Sequence, residues 1–289
     1  MLRNIKDFIP HFFRTIAYVT LIRSYSPKLG FKRVIYNFLK IGMNYILIEL
    51  LLHKKIHKQN IFGKKVYVLD YLSFIYSFEE IFIFDEYYFD TNDIAPCVLD
   101  LGSNIGLSIL YFKLLYPEAK IIAVEPDPRS FKALKKLVET NGLQDVQLIN
   151  RAVSDKKGVV RFYFDPSIPG SLKMSVVRER MPRESILVKS TSLSELLSKF
   201  GKINLMKMDI EGSEEKVLLS MKGKSSLMKK IEQIIVEYHH HIKIEENRLS
   251  YLFKFLEDSG FSYQLDIGKR FVPFKKNIFQ NILIFLYSK

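Results

Sequence analysis

Apolar and polar positions along the 289-residue chain fall into two regimes. From about residue 95 onward, short apolar runs alternate with stretches of helical period. CVLDL (97–101), KIIAVE (120–125) and DVQLIN (145–150) read as strands, and GVVRFYF (158–164) and SILVKS (185–190) as further ones. Between the second and third, Phe131, Leu134, Leu137 and Val138 recur at spacings of three and four, which predicts an amphipathic helix ending near Gly142. INLMKMD (203–209) and EQIIVEY (232–238) are strands on either side of a helix that starts at Gly212, and a short helix is predicted at 193–200. A helix over 247–258 places Leu249, Leu252, Phe253 and Leu256 on one face. The chain closes with FSYQLDI (261–267) and NILIFLYS (281–288).

Alternating strand and helix implies parallel strands joined by right-handed crossovers, hence a doubly wound α/β sheet. The ending breaks the alternation, because about a dozen residues without helical period join the last two strands. A hairpin fits, and it makes the last strand antiparallel. A dinucleotide-binding sheet of the wholly parallel kind is therefore disfavoured. Three prolines and mixed charge in DPSIPGSLKMSVVRERMPRE (165–184) read as a loop over the site. The organisation is an N-terminal extension (1–60), a lead-in (61–94) and one α/β domain (95–289).

Composition sharpens the contrast between the regimes. Hydrophobic residues make up 48% of the chain and aromatics 13%, ample for a core. One cysteine, Cys97, excludes an intrachain disulfide and is most simply a small buried hydrophobe. No uncharged run reaches the roughly 18–20 residues of a spanning helix. Lys6, Asp7 and Arg14 interrupt any leader-like stretch, so a cytoplasmic protein is expected. The net charge of +13 is concentrated: residues 1–60 carry eleven Lys and Arg against Asp7 and Glu49. Basic, apolar and helical, this segment reads as a cap packed on the main domain or as a contact with an anionic membrane surface, which would put the protein at the membrane's inner face.

The most informative stretch is VLDLGSNIGLS (98–108). Ligands of open α/β sheets bind beyond the carboxyl ends of the strands. Gly102 and Gly106 allow a sharp turn there, and the next helix begins near Asn104 to Gly106 with unpaired N–H groups. Asp100, just before the turn, would repel a phosphate but suits a positively charged ligand. Glu125 ends the second strand, where a carboxylate accepts hydrogen bonds from ribose hydroxyls.

VLDLGSNIGLS, AVEPDP, INRAVSD and MKMDIEGSE, in this order and spacing, resemble the FkbM family of S-adenosylmethionine-dependent methyltransferases over roughly residues 80–265. The resemblance implies a class I methyltransferase fold: a Rossmann-like seven-stranded sheet with its last strand antiparallel, here carrying a mostly helical N-terminal extension. It implies S-adenosyl-L-methionine as cofactor, with Asp100, Gly102, Asn104 and Gly106 at its methionine end and Glu125 on the ribose. Asp127 would lie near the ribose or adenine, Ala152 would border the adenine, and Asp209 would face the transferred methyl. Where the family has Thr-Leu-Asp, this chain has Ser192-Leu193-Ser194, and Ser can cap the helix equally well.

Methyl transfer needs alignment of nucleophile, methyl and sulfur, and removal of a proton from a hydroxyl nucleophile. Candidates at the strand ends are Asp209 and Glu211, then Glu237 and His239; Glu211, Glu237 or His239 would be the base or orient the acceptor. Glu214 reads as a first-turn acid complementing the helix dipole. His239, His240 and His241 are consecutive in extended chain and cannot all ligate one ion, so no metal is expected. His53 and His57 read as surface residues. The function expected is O-methylation of a hydroxyl or carboxyl on a sugar, glycan, lipid or secondary-metabolite acceptor. The isoelectric point near 9.5 raises an RNA-directed enzyme as the alternative. Against nucleic acid stand the missing [DN]PP[YFW] tetrapeptide, the lack of a cysteine after the fourth strand, and a nearly neutral main domain. A non-catalytic cofactor-binding module with the same fold is the remaining alternative.

Overall fold

The computed structural model describes residues 5–21, 29–180, 183–240, 249–267 and 280–288. Helices α1 (Ile5–Leu21) and α2 (Phe31–Asn44) come first, and α2 runs on into a π-helical stretch, Tyr45–Leu51. A hairpin of β1 (Lys58–Ile61) and β2 (Lys64–Tyr67) follows, then α3 (Tyr71–Phe78) with its own π-helical continuation, Glu79–Ile83. The α/β alternation then begins with β3 (Cys97–Leu101), α4 (Leu107–Leu115), β4 (Lys120–Val124), α5 (Pro128–Thr140) and β5 (Val146–Ile149). Next come β6 (Ala152–Ser154), β7 (Gly158–Phe164), β8 (Glu184–Ser192) and α6 (Leu193–Ser198). The chain continues through β9 (Ile203–Met208), α7 (Glu214–Leu219), α8 (Ser225–Met228) and β10 (Ile231–His240). It closes with α9 (Leu249–Asp258), β11 (Phe261–Asp266) and β12 (Gln280–Ser288).

Seven strands form one sheet in the order β11-β12-β10-β9-β3-β4-β5. Six run in the same direction, and β12 enters between β10 and β11 antiparallel to both, as the hairpin ending predicts. This strand order, with its single reversed strand, is the class I methyltransferase sheet. After β3 the chain builds outward through β4 and β5, then returns to lay β9 on the other side of β3. The crevice beyond the carboxyl ends of β3 and β9 is thus the place where strand order reverses. Two of the strands read from the sequence, β7 and β8, belong elsewhere: with β6 they form a separate three-stranded sheet.

Period-two alternation puts Val98 of β3 on one face of the large sheet and Leu99 and Leu101 on the other, all fully buried. The second face carries α6, α7 and α9. The first is covered by α4 and α5 and, outside them, by the N-terminal helices, within one continuous core. Aromatic rings chain these layers together: Phe12 to Phe38 (5.0 Å), Phe38 to Phe78 (6.2 Å), Phe78 to Phe82 (4.7 Å) and Phe82 to Tyr111 of α4 (5.4 Å).

The hairpin crosses the residue-60 boundary drawn from the sequence. It is bonded in both directions, Asn37 Oδ1 accepting from the Phe62 N–H (3.0 Å) and Asn141 Oδ1, at the end of α5, accepting from the Lys65 N–H (2.8 Å). Among the described residues, Phe31–Leu51 is long and apolar enough to cross a membrane by length and composition, although 33% of its most apolar window is buried in the protein. His241 and the link between the last two strands lie outside the described residues.

Candidate active site

Beyond Leu101 the chain turns through Gly102 to Gly106 before entering α4. Gly102 has φ +85°, and a Cβ there would stand 1.8 Å from the Asp209 carbonyl oxygen. The turn after β3 therefore passes directly over the end of β9, an approach only glycine permits. The N–H groups of Gly102 and Ser103 both donate to the Val124 carbonyl (2.9 and 3.1 Å), which ties the turn to β4. Gly106, also left-handed, packs its missing side chain against α5, since a Cβ there would lie 2.7 Å from Leu134.

Glu125 holds two loops at once. Its carboxylate accepts from the Asn104 N–H and from the Asp127 N–H, each at 2.8 Å. Burial outweighs these bonds and pushes its carboxyl up to about 8. Each oxygen that accepts one N–H keeps capacity for a second donor.

Beneath the turn lies Lys207, the one charged residue of strand β9 and 2% exposed. Its Nζ donates to the Gly102 carbonyl (2.8 Å) and stands 3.6 Å from Asp100 and 3.5 Å from Asp209. The ring of Tyr87 covers it at 4.9 Å. Burial disfavours the ammonium, but Asp209 and Asp100 outweigh it and the lysine stays charged. Asp100 in turn accepts from the Ser108 hydroxyl (2.6 Å).

A second network closes the far side. His239 on β10 stands 3.0 Å from Glu211 through Nε2 and 3.1 Å from Glu214 through Nδ1. Burial opposes its protonation, yet Glu211 and Glu214 hold the imidazole well above its ordinary value. Arg180 donates to Glu211 through Nε at 2.7 Å. Burial works to raise the Glu211 carboxyl, but His239 and Arg180 prevail and keep it below the usual range. Glu211 itself is left-handed at φ +55°, and the Ser175 hydroxyl donates to its carbonyl (2.5 Å). The segment up to Arg180 is thus latched onto the end of β9 through Ser175 and Arg180, over the site as the sequence suggests. Glu214 also accepts from the N–H groups of Ile210 and Gly212, so it closes the turn in addition to its place at the helix start.

These elements enclose a cavity of about 390 Å³. Of the residues singled out in the sequence, Gly102, Asn104, Glu125, Ala152, Asp209, Glu211 and Glu237 line it. The other four stand behind that lining. Asp100 braces Lys207 and Ser108, Gly106 serves helix packing, and His239 backs Glu211. Asp127, expected beside the ribose or adenine, instead caps α5: its Oδ2 accepts from both the N–H and the hydroxyl of Ser130 at 3.0 Å.

The cavity wall also contains residues the sequence reading passed over: Glu80, Tyr87, Arg180, Lys207 and Asn281. Lys207 had a signal, a lone charge inside INLMKM. Glu80 and Tyr87 had none, because their apolar surroundings follow no strand–helix alternation. Burial, then Glu86, Glu237 and Asp209, push Glu80 well above the carboxylate range. Burial and Asp209 do the same to Glu237, whose Oε1 accepts from Asn281 (2.7 Å). Asp209 is raised as well, by burial first, with Lys207 opposing.

Asp209, Glu211 and His239 bring three ligand atoms within 4.8 Å of one another, a spacing open to a cation. With Arg180 on Glu211 and a protonated imidazole in the group, the positive charge this cluster calls for is already supplied by the chain.

Residues 100–263 match the model of the family described as "Methyltransferase FkbM domain". Among individual proteins, the chain is 30% identical over 168 residues to the Sordaria araneosa "Methyltransferase sdnD", covering 47% of this chain and 65% of that one. It is 27% identical over 171 residues to "31-O-demethyl-FK506 methyltransferase FkbM" of Streptomyces tacrolimicus (49% and 65%). To the "2-O-methyltransferase NoeI" of Sinorhizobium fredii strain NBRC 101917 / NGR234 it is 32% identical over 155 residues (46% and 60%). The chain thus spans less than two thirds of the length of each of these relatives.

Proposed function

The chain belongs to the FkbM methyltransferase family, and on that premise we propose that it moves the methyl group of S-adenosylmethionine onto a hydroxyl or carboxyl oxygen of a sugar, glycan, lipid or secondary-metabolite acceptor. Oxygen as the acceptor atom is supported by the printed names of two relatives, one a 31-O-demethyl and one a 2-O-methyltransferase.

The observation that carries the reading is a pair of acceptors in the cavity wall. Asn104 Oδ1 and Asp209 Oδ1 are buried without a hydrogen-bond partner, and both residues line the cavity. Buried acceptors of this kind call for a donor or a cation, and a sulfonium joined to an ammonium group provides both. The fit extends along the cavity. The Gly102–Gly106 turn and the start of α4 would hold the methionine end, with N–H groups for its carboxylate. Glu125 would take the ribose hydroxyls on its remaining lone pairs. Ala152 and Val153, with Phe162 and Met174, offer an apolar border for the adenine.

When bound, the cofactor supplies an electrophilic methyl on a leaving group that needs no further activation. The chain's own residues orient the acceptor and handle its proton. Lys207, Tyr87 and the turn fix Asp209 in place, and its open oxygen accepts the proton of the acceptor hydroxyl. Glu237, kept neutral by burial and Asp209, donates a hydrogen bond to the acceptor. Glu211, clamped between His239 and Arg180, stays ionised as a fixed negative charge rather than a base. Latching of the segment up to Arg180 keeps bulk water from competing for the methyl.

Calorimetric titration with S-adenosylmethionine and S-adenosylhomocysteine tests the reading directly. Binding of both in the micromolar range is expected, and its loss in Glu125→Ala. Absence of heat with either compound for the wild-type chain overturns the cofactor assignment. Methylated products missing from cells that lack the protein then identify the acceptor.

A further inference from the structure

Helix 31–51 has two apolar faces, and only one of them is used. Val34, Phe38, Ile41 and Tyr45 point inward and are buried, with Gly42 fitting against the ring of Phe12. On the outward side Tyr36 is 65% exposed, Leu39 38%, Met43 47%, Leu47 47% and Leu51 57%. Steps of three or four residues keep these five in line. The stripe survives into the π-helical end because four-residue steps stay close to a turn there as well. A helix that merely covers a core carries charged residues on this face.

The charges sit around the stripe instead, and nearly all are positive. Lys32 and Lys40 lie along the helix, and Lys54, Lys55 and Lys58 follow it directly. The single acid of residues 31–58, Glu49, accepts from the Ile56 N–H (2.9 Å) and faces Lys55 at 4.0 Å. An apolar strip with lysines at its margins complements the acyl boundary and headgroups of an anionic bilayer. The same pattern opposes self-association, since two copies joined stripe to stripe would bring their lysines together. Crossing the bilayer is incompatible with the fold, because the inward face is committed to the aromatic core. We infer that the outward face of helix 31–51 docks the protein on an anionic lipid surface, with the helix lying in the plane of the membrane.

Co-sedimentation of the full chain with phosphatidylcholine vesicles, with and without phosphatidylglycerol, tests this. The chain is expected to pellet with the phosphatidylglycerol vesicles, less at high salt, and to stay in solution with phosphatidylcholine alone. Met43→Glu combined with Leu47→Glu removes apolar contact at two exposed positions and is expected to weaken partitioning about tenfold or more, with an unchanged melting temperature. Should that pair disturb folding, Leu47→Ser alone is expected to give the same loss at smaller amplitude. Wild-type chain that remains in the supernatant with phosphatidylglycerol vesicles overturns the inference. So do variants that pellet like wild type, or a wild-type dimer in sedimentation velocity that the Glu pair abolishes while vesicles bind neither protein.

Discussion

His239 and Glu211 face each other across 3.0 Å at the ends of adjacent parallel strands, one a buried cation and the other a carboxylate on the cavity wall. The contact turns a histidine that the sequence offers as a base into a group that positions a neighbouring carboxylate. Because Glu211 is left-handed, its side chain direction depends on what grips it, and His239 and Arg180 supply the grip.

Replacing His239 by Gln is expected to lower kcat by one to two orders of magnitude, about what loss of a supporting partner costs, while cofactor affinity changes little. A kcat loss with cofactor affinity kept separates this from a purely structural role, and the contact also has a pH signature in stability. A histidine held above its unfolded value stabilises the fold fully below about pH 6.5, and that contribution is lost as pH rises through the folded value. Melting temperature measured against pH should therefore fall on the alkaline side for wild type, and less so for His239→Gln.

Glu125→Gln keeps the shape of the clamp and removes its charge. With a folded value of about 8, Glu125 retains a proton in the native state that the unfolded chain has released, so stability falls between about pH 4.3 and 8. That decline should disappear in Glu125→Gln. Cofactor affinity by calorimetry should rise through pH 8 for wild type, as the carboxylate becomes available to the ribose, and stay flat for the variant.

Gly102→Ala places a Cβ against the backbone of Asp209 at a positive φ, with no flexible side chain to yield. A cost of about 3 kcal/mol or more is expected from overpacking and strain together, read as a shifted urea midpoint. Gly106→Ala meets only the end of Leu134, which can rotate, so the smaller shift belongs there.

Lys207→Met retains most of the volume but strands Asp100 and Asp209 without their shared cation. Removal of one partner from a buried ionic group costs about 3–5 kcal/mol, and the loss should show in chemical denaturation. Lowering the pH should partly restore the variant, since Asp209, whose carboxyl burial already raises, no longer needs the charge once protonated.

The seven-stranded sheet, its reversed last strand and the sharp turn at 102–106 were legible because each is encoded locally. A buried parallel strand reads as an apolar run, and a turn over another strand demands glycine at 102. The roles of Asp127 and His239 were not legible. An acid after a strand looks the same whether it caps a helix or meets a ligand, and a histidine shows no sign of the two carboxylates that meet it from 28 and 25 residues away in sequence. Glu80, Tyr87 and the hairpin at 58–67 escaped for another reason. Between residues 31 and 83 two helices run on into π-helical ends, whose period is neither that of an α-helix nor that of a strand.

Consecutive residues Glu79 and Glu80 sit in one π-helical turn and serve opposite sides of the wall. Glu79 is bonded to His11 (2.8 Å) and Thr15 (2.5 Å) of the first helix, while Glu80 lines the cavity. Tyr76, Ser77, Ile81 and Tyr87 share that wall, and all precede the stretch that matches the family. On the proposed reading, this part of the wall and the turn that would hold the cofactor are separable along the polypeptide. Exchange of residues 71–90 is then expected to change the acceptor taken while leaving the turn at 102–106 and Glu125 intact, provided the graft carries its own answer to Glu79.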